Sequence, residues 1–297
     1  EMALLSQELV SLRYDAPFDE NWESYRPRDF DTATLRELFT KFEFRRLANE
    51  MLPDASTGGV AVDVPAMPEP VVLNTVDALK MVVEKAAQQG RLAMDTETTS
   101  TRPMAASLVG ISLALDPQQV FYIPIAHRDM LGGRQLKLDQ VREFLGPLVA
   151  DKTVAKVGQN FKYDTVVLRN HGFTVEGLEF DTMIASYLVN PGRRSHSLDN
   201  LSAEILGVKM TSYKEVTGTG KAQVTFDYVP IKQAARYAGE DAWGTLLLAD
   251  KLAPELAAAG LVDLYRDVEL PLSDMLANME MAGVAINNRE LGDLSAN

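Results

Sequence analysis

Cysteine is absent from this 297-residue chain, which excludes disulfides and thiolate metal sites and removes any reason to place it in an oxidising compartment. Histidine is nearly as scarce. His127, His171 and His196 are the only three, none falls at zinc-site spacing, and each is read as a loop or surface residue. No apolar run approaches the roughly 18 residues needed to cross a bilayer, the N-terminus has no signal-peptide pattern, and no repeat or low-complexity tract occurs. A soluble, cytoplasmic protein with no membrane partner is expected. Because residue 1 is Glu, the chain is also read as a piece of something longer. Positive charge is short: 29 Lys and Arg face 42 Asp and Glu, for a net charge of -13. That balance argues against tight nonspecific binding to nucleic acid, where basic residues neutralise phosphates. It leaves room for a site that uses bound divalent cations, since clustered carboxylates count against the average.

With 46% hydrophobic residues, enough apolar material is present for a sizeable core. Residues 1–52 contain one helical stretch, TATLRELFTKFEFRRLANEM, with Leu35, Leu38, Phe39 and Phe42 at helical spacing. Residues 53–70 carry four prolines and a Gly-Gly pair, a linker composition. TVDALKMVVEKAAQQG then predicts a helix with Thr75 as N-cap, Asp77 in the first turn and Gly90 just past the end. RLAMDTE, SLVGISLAL and VFYIPIA, the last two joined through Asp116-Pro117, predict an antiparallel meander, and VAKVG at 154–158 a further strand. KLDQVREFLGPLV reads as a helix, as do the main segments after residue 158. The order implies an α/β fold, a mixed sheet with helices on both faces.

AMDTETT at 93–99 ends an apolar run in Asp95 and Glu97, which share a strand face by alternation. An isolated pair of this kind usually marks a turn or cap, so the question is whether other acids join it. In the helix after Pro230, steps of 100° place Ile231, Ala234, Ala238, Ala242, Thr245, Leu248 and Leu252 on one inward arc, and Asp241 falls inside it. Tyr237, one turn earlier at the arc's edge, is either a rim tyrosine of the core or part of a site; Glu240 projects to the solvated side. Gly158-Gln159-Asn160 closes a strand and opens a helix whose stripe Phe161, Asp164, Thr165 and Leu168 again carries an acid. Asn160 either caps that helix or orients Asp164, and Asp181 reads as the cap of the next helix. Four inward acids without a nearby cation repel one another strongly at low dielectric. Hard divalent cations relieve this, and two of them about 3.5–4 Å apart can clamp the attacking and leaving oxygens of a phosphodiester.

DTET at 95–98, QNFKYD at 159–164 and YAGED at 237–241 resemble the three motifs of the DEDDy class of 3′-to-5′ exonucleases, named for four acids and a tyrosine. With KVGQNFKYD, FDTM and RYAGEDA around them, they are most similar to the proofreading domain of the bacterial family A DNA polymerases. The resemblance implies a ribonuclease H-like fold with a mixed five-stranded sheet, spanning 71–260. It makes residues 1–52 the end of a preceding 5′ nuclease domain and 261–297 the start of a polymerase domain, whose active site lies outside the chain, and it implies a monomer. By the same likeness Asp95 bridges two Mg²⁺ ions, Glu97 and Asp241 complete the shell of the first, Asp164 serves the second, and Tyr237 orients the attacking water; Mn²⁺ or Zn²⁺ can substitute. The implied substrate is a single-stranded DNA 3′ end, released as dNMP. Thr96, Gln159, Asn160, Arg194 and Tyr213 are the candidate substrate contacts, Tyr213 standing where the family tends to place an aromatic; Lys209, Lys214 and Lys221 around Tyr213, and Arg193 beside Arg194, are read either as cations that follow a nucleic-acid backbone or as solvated loops. Thr101 stands where the family commonly has a wedging leucine, with Met104 as its candidate replacement. Two rival readings stay open: a ribonuclease D-like RNA exonuclease, and a catalytically inert module of a polymerase.

Overall fold

The computed structural model describes residues 2–12, 21, 23, 26, 30–42, 44, 47, 51–52, 64–128 and 133–296. They fall into two compact units, 1–61 and 62–297. In the first, α1 spans Met2–Val10 and α2 spans Thr32–Lys41. The Asp31 carboxylate starts α2 by accepting the Thr34 amide at 3.1 Å and its hydroxyl at 2.6 Å, satisfying donors that a helix start leaves open. The helix ends earlier than its apolar spacing predicts, because the Phe44 amide turns back onto the Phe39 carbonyl at 2.8 Å. Most of the remainder of that predicted helix, and residues 53–63 of the expected linker, lie outside the described residues.

The second unit is built on a six-stranded sheet in the order β1-β4-β3-β2-β5-β6: β1 Val71–Val72, β2 Arg91–Thr98, β3 Leu108–Asp116, β4 Gln119–Pro124, β5 Ala155–Gly158 and β6 Leu178–Asp181. β2, β3 and β4 form the predicted antiparallel meander, while β1 pairs with β4, and β5 with β2 and β6, in parallel. The expected five strands become six through β1, a two-residue edge too short to show alternation in a proline-rich stretch. Between β1 and β2 runs α3, Val76–Gln89, capped as predicted: Thr75 Oγ1 accepts the Ala78 amide, and Gly90 is left-handed at φ 74°.

Alternation sorts the sheet's two faces. Leu92, Met94, Ile111, Leu113 and Ile123 pack with α3, α4 (Leu138–Ala150) and α5 (Phe161–Asn170). Ala93, Ala114, Val120 and Val157 pack on the opposite face with α6 (Thr182–Val189), α7 (Leu198–Leu201) and, after the five-residue α8 (Tyr213–Thr217), the long α9 (Ile231–Ala258). Asp95 and Glu97, in phase with Ala93, therefore face α9. The stripe predicted on α9 is buried throughout, from Ile231 to Leu252, and α9 approaches so closely that a Cβ at Gly239 would meet Pro70 Cγ at 2.5 Å. Val64 and Met67 pack against the same cluster. The chain ends in α10 (Val262–Leu264), a π-turn at Tyr265–Glu269, α11 (Leu270–Ala282) and α12 (Asn288–Ala296). α11 is tied to α5 by Lys162–Glu280 at 2.5 Å and Arg169–Asp274 at 2.6 Å. No helix is long and apolar enough to cross a membrane among the described residues.

Candidate active site

Carboxylate oxygens of Asp95, Glu97 and Asp241 lie within 4.8 Å of one another, at the C-terminal end of β2 where its neighbours change from antiparallel β3 to parallel β5. Asp164 joins from the first turn of α5: its Oδ1 accepts the Thr96 amide at 2.9 Å and the Thr96 hydroxyl at 2.5 Å. Burial above all pushes all four carboxyls well above the ordinary carboxylate range; repulsion adds to it, from others of the four for Asp95, Glu97 and Asp164, and chiefly from Asp199 and Glu240 for Asp241. Among the described residues no Lys, Arg or His forms a salt bridge with any of them. Glu97 Oε1 is buried without a hydrogen-bond partner, an arrangement that costs free energy unless something positive is bound there. An orphaned carboxylate oxygen in an all-oxygen, cation-free donor set fits a hard divalent ion.

Tyr237 sits one turn before Asp241 on α9, on the same side of the helix as that carboxylate. Burial above all, then the acids around it, drives the phenol far above its usual range. Tyr213 and Phe226 complete an aromatic group with it: Tyr213 stacks on Phe226 at 6.2 Å, and Tyr237 meets the two rings at 6.3 and 5.7 Å. Tyr213 keeps 40% of its surface exposed, presenting an aromatic face beside the acids.

The remaining sequence candidates are distributed differently. Thr96 is buried and directed to Asp164, so its contact is with the site and not with solvent. Gln159 donates to the His196 carbonyl at 2.8 Å and accepts from the Thr182 hydroxyl, which engages both ends of its amide. Asn160 occupies the N-cap position in a left-handed conformation at φ 54°, but its side chain makes no cap bond. Asp181 does the capping: its carboxylate takes the amides of Asn160, Phe161, Met183 and Ile184, so it serves α5 as well as the predicted α6. Thr101 and Arg194 are exposed, and Met104 is exposed against Asn170. Arg193 turns inward to Glu204 at 3.4 Å. Lys209 and Lys214 are exposed, and the side chain of Lys221 lies outside the described residues. One reading is corrected. Glu240 is not a solvated surface acid, because its Oε2 accepts the Thr211 amide at 2.7 Å and anchors the segment leading to Tyr213. His127 lies in a loop, as read from the sequence, but a buried one, with both ring nitrogens bonded; a long-range contact of this kind leaves no periodic trace in sequence.

The 3′-5′ exonuclease profile found in DNA polymerase A matches residues 70–257. The chain belongs to this 3′-5′ exonuclease family. Among curated relatives, DNA polymerase I of Rhizobium leguminosarum is 40% identical over 76% of this chain and 24% of its own length. That of Pseudomonas aeruginosa is 33% identical over 99% of the chain and 34% of its own length. The exonuclease chain thus spans about a quarter to a third of the polymerases it matches, as their 3′-5′ exonuclease domain. Among solved structures, the Pol1 of M. smegmatis in complex with DNA primer-template and dNTP superposes with a TM-score of 0.61 at 24% identity, over 76% of this chain and 34% of that one. Escherichia coli RNase D gives 0.54 at 22% identity, over 71% and 51%. At these identities the structural likeness establishes the shared ribonuclease H-like α/β fold.

Proposed function

We propose that the chain is the proofreading part of a DNA polymerase I, hydrolysing the terminal phosphodiester of a single-stranded or frayed DNA 3′ end to release a nucleoside 5′-monophosphate. The observation that carries this reading is the convergence of Asp95, Glu97 and Asp241 within 4.8 Å, with Asp164 and Tyr237 beside them. Asp95, Glu97 and Asp241 would hold one Mg²⁺, and Asp95 with Asp164 a second. Bound there, the ions would neutralise phosphate charge and make a water easier to deprotonate. Tyr237 stays a protonated phenol, since its environment disfavours the phenolate, and acts as an orienter of water and not as a base. The exposed face of Tyr213 offers a stacking platform for a terminal base, a sequence-tolerant way to hold single strands. The remaining two thirds or more of the related polymerases' length would supply the polymerase partner domain of the same chain.

The test is release of labelled dNMP from a 3′-labelled DNA single strand with Mg²⁺ or Mn²⁺, run beside an RNA strand of the same sequence. DNA cleavage that stops on chelation is the expected result. RNA degraded with DNA intact would replace this reading with a ribonuclease D-like one, and no cleavage of either would leave an inert module.

A further inference from the structure

One buried tyrosine outside the three motifs lies against the acids. Tyr122 of β4 is fully buried, and its phenol fills the space that a side chain at Gly110 would need, so a Cβ there would overlap its hydroxyl. Gly110 is the cross-strand partner of Glu97, and Ser112 on the same face pairs with Asp95 on one side and Tyr122 on the other. Directly paired positions have Cβ atoms about 4.5–5.5 Å apart, which brings the phenol within a side chain's reach of Glu97. Burial, then the charges of Glu97 and Asp95, pushes that phenol well above its usual range, so it keeps its hydrogen.

The hydrogen goes elsewhere. Tyr122 Oη meets His127 Nε2 at 2.6 Å, and His127 Nδ1 meets the Val229 carbonyl at 3.0 Å. A carbonyl only accepts, so Nδ1 carries the hydrogen, and in the neutral ring Nε2 is an acceptor. Tyr122 therefore donates to His127 and has nothing left for Glu97, whose Oε1 remains without a partner. Gln135 fixes the backbone that carries the ring, accepting the His127 amide at 2.7 Å and donating to its carbonyl at 2.8 Å.

We propose that His127 and Tyr122 are positioning residues: the Val229 carbonyl sets the His127 tautomer, and that tautomer draws the Tyr122 hydroxyl away from Glu97, leaving its carboxylate bare for a divalent cation. This rests on the reading of Glu97 as a cation ligand. Without the imidazole, the phenol turns to the carboxylate and its hydrogen bond competes with the ion.

The experiment is Mn²⁺ binding by titration calorimetry on the whole chain. H127L is expected to weaken binding roughly tenfold, the order of one charge-assisted hydrogen bond. Adding Y122F to H127L should recover most of that loss, because no hydroxyl remains to compete; a merely structural lesion would deepen with a second core substitution. Unchanged binding in H127L, or a double variant as weak as the single one, overturns the proposal. Should H127L fail to fold, the ¹⁵N resonances of His127 in the unsubstituted chain decide: hydrogen on Nδ1 and an unprotonated, hydrogen-bond-accepting Nε2 are expected, and hydrogen on Nε2 overturns the arrangement. Failure of the unsubstituted chain to bind Mn²⁺ with the expected tautomer present would overturn the reading of the acids as a cation site.

Discussion

Asp164 Oδ1 receives both hydrogens that Thr96 can give, from the amide at 2.9 Å and the hydroxyl at 2.5 Å. A residue of the strand that carries Asp95 and Glu97 thus aims an acid arriving from a helix 68 positions further along. T96V keeps the branched shape and the amide bond but removes the hydroxyl. Hydrogen bonds to charged groups contribute about 1.5–3 kcal/mol, so we expect metal affinity or turnover to fall roughly ten- to a hundredfold while the fold persists. Circular dichroism and a Mn²⁺ titration of nuclease activity check both halves.

Removing an acid should separate stability from activity. In D95A the coulombic load on Glu97 and Asp164 is relieved, since Asp95 raises both. We expect cleavage to vanish while metal-free stability rises, by about 1.4 kcal/mol for each pH unit of relieved shift. Thermal unfolding with EDTA and with Mg²⁺ measures this; the ion should stabilise the unsubstituted chain by mass action and leave D95A unmoved.

The pH dependence of the metal-free protein follows from the same groups. A carboxyl raised by folding binds its proton more tightly in the folded state, so its stabilisation is complete below the unfolded value near roughly 4 and is lost as pH climbs through the raised range. Denaturant unfolding with EDTA should therefore show stability falling as pH rises above the ordinary carboxylate range. Saturating Mg²⁺ should flatten that slope.

How much of this was legible in sequence depends on whether a residue's role is set by its neighbours along the chain. The α9 stripe was readable because seven apolar or small positions recur at helical period, which placed Asp241 inward. Asp95 and Glu97 were readable because strand alternation puts both beside Ala93's face. Glu240 was misread: its bond to the Thr211 amide depends on a loop folding back across 29 residues. His127 depends on Val229, 102 residues away, and the Thr96 hydroxyl on Asp164. Polar contacts between distant segments leave no period, whereas burial does.

A second titration should run in the opposite direction. Lys156 is 1% exposed, and its Nζ donates to the Asp151 carbonyl at 2.5 Å. Burial pulls the ammonium down to about 8, against the attraction of Asp151 and Glu176. Between that value and its unfolded value near roughly 10.4 the unfolded chain binds more protons, so stability rises with pH across this window, and below it the cost of the buried charge is carried in full. K156M should abolish the rise. Unfolding curves at pH 8, 9 and 10 for both proteins provide the comparison.

Asp181 joins two helices through one carboxylate, and a single-atom substitution separates its two duties. Oδ1 takes the amides of Asn160, Met183 and Ile184 at 3.1, 2.9 and 3.3 Å, while Oδ2 takes that of Phe161 at 2.7 Å. In D181N the amide oxygen can keep the α6 cap, but the amide nitrogen then faces the Phe161 N–H, donor against donor. Loss of a cap costs about 0.5–2 kcal/mol, and more where a buried donor is left unsatisfied. The damage falls on the first turn of α5, which carries Asp164, so D181N should lower nuclease activity beyond its effect on melting temperature. D181A, which removes both caps, should unfold at a lower temperature than D181N. Equal melting temperatures for the two variants would show that Oδ1 does not hold α6 independently.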